Sequence, residues 1–137
     1  MFIKQVLKEN FVSEIGAQIA SFKYGFVPNI IDIQKDGENY LLVMEDMGKE
    51  CLADKYGEDP RYIPEWIWYE IRDIVKTLFE KEGIEYRDIS AYNFVEKDER
   101  IYVINFEKAK YVHPYEPTNW FVVEFLEGEN SWNPDYK

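Results

Sequence analysis

The sequence predicts a single α+β domain, and three observations carry that expectation. The apolar pattern switches repeatedly between strand-like alternation and helix-like spacing. Strand segments come early and the longest helical pattern lies mid-chain, in the order β-α-β-β-(α)-α-loop-β-β-α, which is not the order of a doubly wound sheet. The 137 residues are one domain's length.

Phe2 to Leu7 reads as a short strand. Residues 9–24 read as a helix, because Phe11, Ile15, Ile19 and Phe22 form one apolar stripe. Gly25 and Pro28 stop it. Residues 30–44 read as an antiparallel hairpin, with strands 30–34 and 40–44 around the turn signal Asp36-Gly37. A short helix is expected near 49–56. Residues 64–82 give the clearest helix: Pro64 suits its first position, Ile67, Ile71, Ile74, Val75 and Leu78 form its stripe, and Gly83 ends it. Ile84-Glu85-Tyr86 is a short extended segment and 87–93 a loop. A second hairpin pairs 94–96 with 101–104, and a last helix spans 118–126, capped by Thr118 and ended by Gly128. The tail 129–137 is polar apart from Trp132 and Tyr136.

Composition narrows the function. There are 27 acidic and 16 basic residues, a net charge of −11. Such a field argues against binding nucleic acid or an anionic membrane surface. Apolar residues (46%) and aromatics (18%) suffice for a core despite the charge. A lone Cys51 excludes an internal disulfide and a four-Cys zinc site, and a lone His113 argues against a His-based metal centre. There is no membrane-length apolar run, and Met1 to Gln5 has no signal-peptide layout, so a soluble cytoplasmic protein is expected.

The segment richest in chemistry is Tyr86-Arg87-Asp88-Ile89-Ser90-Ala91-Tyr92-Asn93. An Asp and an Asn five apart in one loop can divide two tasks. The carboxylate accepts a hydroxyl proton, and the amide oxygen ligates a hard cation such as Mg²⁺. Asn105, at the end of the neighbouring strand, is placed to add another oxygen. Read alone, the same string is more often a polar loop whose Asp and Asn bond to backbone.

This segment resembles the catalytic loop of the protein-kinase superfamily, H-R-D-x-x-x-x-N, with Asn105-Phe106-Glu107 in place of D-F-G. Its S-A-Y-N-F ending is more similar to small atypical kinases of the RIO and lipopolysaccharide-kinase type. The upstream order agrees: Phe2-Ile3-Lys4 resembles the V-A-I-K strand, Glu14 lies on the next helix, Phe26 to Ile31 looks like the entry to the following strand, and Met44-Glu45-Asp46-Met47-Gly48 looks like the hinge. The likeness runs from residue 2 to about 111.

The resemblance implies a minimal two-lobed fold over 1–137, with a reduced N-lobe (1–45), a hinge (46–48) and a reduced C-lobe (49–137). It implies ATP and Mg²⁺ as cofactors. Lys4 would grip phosphate with Glu14 as its ion-pair partner, and the hinge with its border, Glu45 and Met47, would bind the adenine edge. Asp88 and Asn93 would be the catalytic residues, and Asn93 and Asn105 the metal ligands. Each has a plain alternative: Lys4 a strand-edge lysine, Glu14 a solvated helix residue, Glu45 and Asp46 an acidic turn, Tyr86 a packing residue.

Four departures bear on activity. No Gly-rich loop precedes Lys4. Asn105 replaces the metal-binding Asp, with Glu107 as a conceivable substitute carboxylate. Tyr86 replaces the loop His. The C-terminal lobe lacks an A-P-E motif, and Arg87 lacks the phosphorylated loop it would contact. The expectation is therefore a pseudokinase that retains ATP-site remnants and acts by binding a protein partner or a host kinase pathway; viruses and mobile elements are natural sources of such reduced forms. One alternative is an active small phosphotransferase acting on protein Ser/Thr or a small alcohol, in which Asp88 orients the acceptor hydroxyl. Another is an acidic interaction module whose Trp120, Trp132 and Tyr136 dock a partner or complete a dimer, unless they pack over their own core. Oligomeric state is left open.

Overall fold

The structure is a computed structural model and describes residues 1–128. Trp132 and Tyr136 of the expected aromatic tail lie outside the described residues. The α+β expectation holds, with antiparallel sheets throughout.

Strand β1 (Phe2–Val6) leads into a composite helical segment, then β2 (Ile30–Asp36) and β3 (Asn39–Met44) form the expected hairpin. Gly37, at φ 62°, supplies the left-handed turn residue. The three strands make one antiparallel sheet in the order β1-β3-β2, so β1 and β2 are its edges. Lys4 pairs with Leu42 across β1 and β3.

The expected 9–24 helix is broken into four pieces. A 3₁₀ turn (Lys8–Asn10) and a π turn (Phe11–Ile15) precede helix α1 (Gly16–Ser21), and a 3₁₀ turn (Phe22–Tyr24) follows it. A π turn spends more residues per turn than an α-helix and so rotates the following face. The apolar stripe is consequently split: Ile15 is buried and Phe11 packs beside it, whereas Ile19 and Phe22 are 57% and 56% exposed. Polar Glu14, Gln18 and Ser21 turn inward instead.

Helix α2 (Leu52–Tyr56) and helix α3 (Glu65–Glu82) follow. The predicted α3 stripe is buried, Trp68 with it. Pro64 sits one position before the helix rather than in it, and Gly83, at φ 64°, ends it. Strand β4 (Ile84–Glu85) pairs with β7 (Lys110–Tyr111), a strand with no sequence signal. The second hairpin is β5 (Phe94–Lys97) with β6 (Arg100–Val103). Helix α4 (Trp120–Leu126) is capped by Asn119, not Thr118: the Asn119 side chain accepts from the amides of Phe121 (3.0 Å) and Val122 (3.3 Å). Trp120 itself is 58% exposed and does not pack into the core.

Two clusters of buried side chains result. Val6, Ile15, Leu42 and Met44 form a small one between the sheet and the π turn. The larger surrounds α3 and includes Ile71, Leu78, Phe94, Phe106 and Phe125. Among the described residues, no helix is long and apolar enough to cross a membrane.

Candidate functional site

The site forms where four chain segments meet. On β1, Lys4 points to the face covered by the π turn. There it forms an ion pair with Glu14, which is 2% exposed. The phase change in the helix is what brings Glu14 inward, so Glu14 is not a solvated helix residue. Lys4 lies on an edge strand but its head is engaged internally. Its Nζ also donates to Asn105 Oδ1 at 2.7 Å, across 101 positions of sequence.

Asn105 follows β6 and joins this pair to the 86–93 loop. Its Nδ2 donates to Asn93 Oδ1 at 3.1 Å. Asn93 Nδ2 donates to the Asp88 carbonyl at 2.8 Å, which closes the loop on itself. The Ile104 amide donates to the Asn93 carbonyl at 3.0 Å, pinning the end of β6 to the loop. A row of polar side chains thus runs Glu14–Lys4–Asn105–Asn93, with Asp88 beneath its end.

Tyr86 does more than pack. Fully buried between Phe94 and Phe106, it donates its hydroxyl to the Asn105 carbonyl at 2.6 Å. It fixes the backbone of the residue that bridges the row. Burial, then the charge of Asp88, pushes its phenol well above its ordinary value. The signal for this role was its place two residues before Asp88, but a hydroxyl aimed at a residue 19 positions away is not legible in spacing.

Asp88 is 7% exposed, and its Oδ1 has no hydrogen-bond partner among the described residues. Burial raises its pKa above the ordinary carboxylate value; Asn93 and Lys108 pull against that shift and Glu107 adds to it. Arg87 is turned to Glu85, at 3.2 Å.

The turn after β3 is built by its own acids. Glu45 Oε1 accepts from the Asn29 amide at 2.8 Å, and Asp46 Oδ1 from the Gly48 amide at 2.8 Å. The Glu45 amide donates to the Asn29 carbonyl at 2.9 Å. The amides of Asp46 and Met47 take no part in these bonds. Beside the turn lies a cavity of about 170 Å³, walled by Phe2, Met44, Met47, Val95 and Ile104. Sequence reasoning pointed to Met44 and Met47 here but not to Phe2, Val95 or Ile104. Phe2 and Lys4 share one face of β1, Val95 is two residues from Asn93, and Ile104 precedes Asn105. The cavity wall and the polar row therefore share three segments.

The donor set does not fit a resident Mg²⁺. Asn93 and Asn105 offer neutral amide oxygens; that of Asn105 already accepts two bonds and that of Asn93 one. Asn93 Oδ1 receives the Asn105 amide, while Asn105 Oδ1 receives the Lys4 ammonium and the Glu107 amide (2.9 Å). An ammonium and a divalent cation cannot share that oxygen. Among the described residues there is no group of three or more His, Cys, Asp or Glu that could hold a metal. The cavity, by contrast, has apolar walls and a polar edge. No protein-family model and no curated protein matches the chain.

Proposed function

We propose that this chain is a kinase-like, nucleotide-binding protein that does not carry out efficient phosphotransfer and acts by binding. The observation that supports this most is the Glu14–Lys4–Asn105–Asn93 row, because it joins residues from four segments in the order the kinase resemblance implies. The β1-β3-β2 sheet with its helical segment corresponds to a reduced N-lobe, the 45–48 turn to a hinge, and the body around α3 to a reduced C-lobe. The cavity beside the turn is where an adenine would lie, with Phe2, Met44, Met47, Val95 and Ile104 as its walls. ATP bound there would bring a transferable phosphoryl group. Lys4 is the residue of the row that would meet its phosphates, and Asp88 is too buried to orient an acceptor hydroxyl freely.

A protein partner fits the same reading. Exposed Ile19, Phe22 and Ile31 leave an apolar surface on the N-terminal part, beside a shallow cavity of about 280 Å³.

Thermal melts and a phosphotransfer assay test the proposal together. An adenine nucleoside or nucleotide at about 100 times its Kd is expected to stabilise the fold by about 2.7 kcal/mol. Wild-type turnover that disappears in Asp88→Ala would overturn the absence of phosphotransfer. No stabilisation by any adenine ligand at millimolar concentration would overturn nucleotide binding.

A further inference from the structure

We infer that the cavity beside the 45–48 turn prefers an uncharged adenine nucleoside to its phosphorylated forms and takes it without a divalent cation. The inference rests on the nucleotide-binding reading above and adds which ligand the site prefers and what it dispenses with.

The first argument is occupancy. In a site that recruits a metal with its nucleotide, oxygen ligands must be free to turn toward the cation. Here the Asn105 oxygen is held by Lys4 at 2.7 Å and by the Glu107 amide at 2.9 Å, and the Asn93 oxygen by Asn105 at 3.1 Å. Tyr86 anchors the Asn105 backbone from below at 2.6 Å. Recruiting a cation would break this row and expel an ammonium from beside it. The row places the Lys4 charge and an amide where a metal would stand.

The second argument is charge. Lys4 is matched by Glu14. At the cavity rim, one lysine, Lys49, lines the wall together with two carboxylates, Glu45 and Asp46. At the other end, Lys108 and Glu107 both act on Asp88. Carboxylates equal or outnumber ammoniums at each point, on a chain of net charge −11. A triphosphate without its metal carries several negative charges into that field, whereas a nucleoside carries none. The apolar walls contact the base alike in every case, so added phosphates subtract affinity.

Isothermal titration of the full chain with adenosine, AMP and ATP, each in EDTA and in excess Mg²⁺, decides the matter. Adenosine is expected to bind tightest, with a Kd that changes less than about twofold between EDTA and Mg²⁺. ATP in EDTA is expected to bind at least about tenfold more weakly. In Asn105→Asp, which restores a carboxylate, Mg²⁺ is expected to tighten ATP by about tenfold or more. If Mg²⁺ tightens wild-type ATP to that extent, or ATP outbinds adenosine, this inference falls while the nucleotide-binding reading stands. If none of the three ligands binds, both fall. The wild-type titrations suffice should Asn105→Asp not fold.

Discussion

Asp88 shows how one buried atom ties chemistry to stability. Its carboxyl is held above the ordinary value of 3.8, chiefly by burial. Folding therefore favours the protonated form. The stability this group contributes is present below 3.8 and is lost as pH rises through the raised value. Asp88→Asn is nearly isosteric and never ionises, so it should be more stable than wild type at neutral pH, with the advantage vanishing below pH 3.8. Urea midpoints at the two extremes of pH check this; an equal difference at both would show that Asp88 ionisation is not the cause. The same residue illustrates what spacing can convey. That Asp88 and Asn93 belong to one loop was legible in the string. That Asn93 would turn its amide to the Asp88 carbonyl and leave the carboxylate oxygen without a partner was not, because side-chain direction depends on neighbours 12 to 19 positions away.

At the scale of elements, helix α3 and both hairpins were legible because their signals are local: a sustained stripe, a positive-φ glycine, paired alternating runs. The helical segment after β1 was not, since a π turn changes the helical phase and the apolar stripe carries no sign of it. Strand β7 is two residues long and exists only by pairing with β4. Helix α4 offers a direct test of cap assignment. Asn119 accepts two amides and its own amide donates to Glu85 Oε1 at 2.6 Å. Asn119→Ala should cost about 1 kcal/mol in denaturant unfolding, whereas Thr118→Ala should cost only a few tenths. Equal costs would return the cap to Thr118.

For the whole molecule, the unequal cores set an order of opening. Among the described residues, Val6, Ile15, Leu42 and Met44 form the buried cluster under the three-stranded sheet, with Phe11, Ile30 and Tyr40 packed against it, while α3 is enclosed by a much larger one. Local opening free energy follows buried apolar contact, so amides of β1 to β3 should exchange with deuterium well before those of central α3. Matching protection in both would mean that they open as one unit. The α+β class was legible from the order of patterns. The site as an assembly was not: its row spans residues 4 to 105, and only folding shows that the polar row and the apolar cavity share three segments.

The two edges of the sheet are protected unequally. Strand β2 carries Asp32, Lys35 and Asp36 along its exposed length, charges that discourage another strand from pairing there. On β1 the single charged residue is Lys4, whose head is turned away to Glu14, while Phe2 and Ile3 are 52% and 57% exposed. The contact that organises the site has removed the gatekeeper from the edge. Concentrated solutions should therefore self-associate through β1, more readily in high salt, where the mutual repulsion of acidic molecules is screened. Ile3→Lys puts a charge back on that edge, and light scattering should then stay low at concentrations where the wild type turns cloudy.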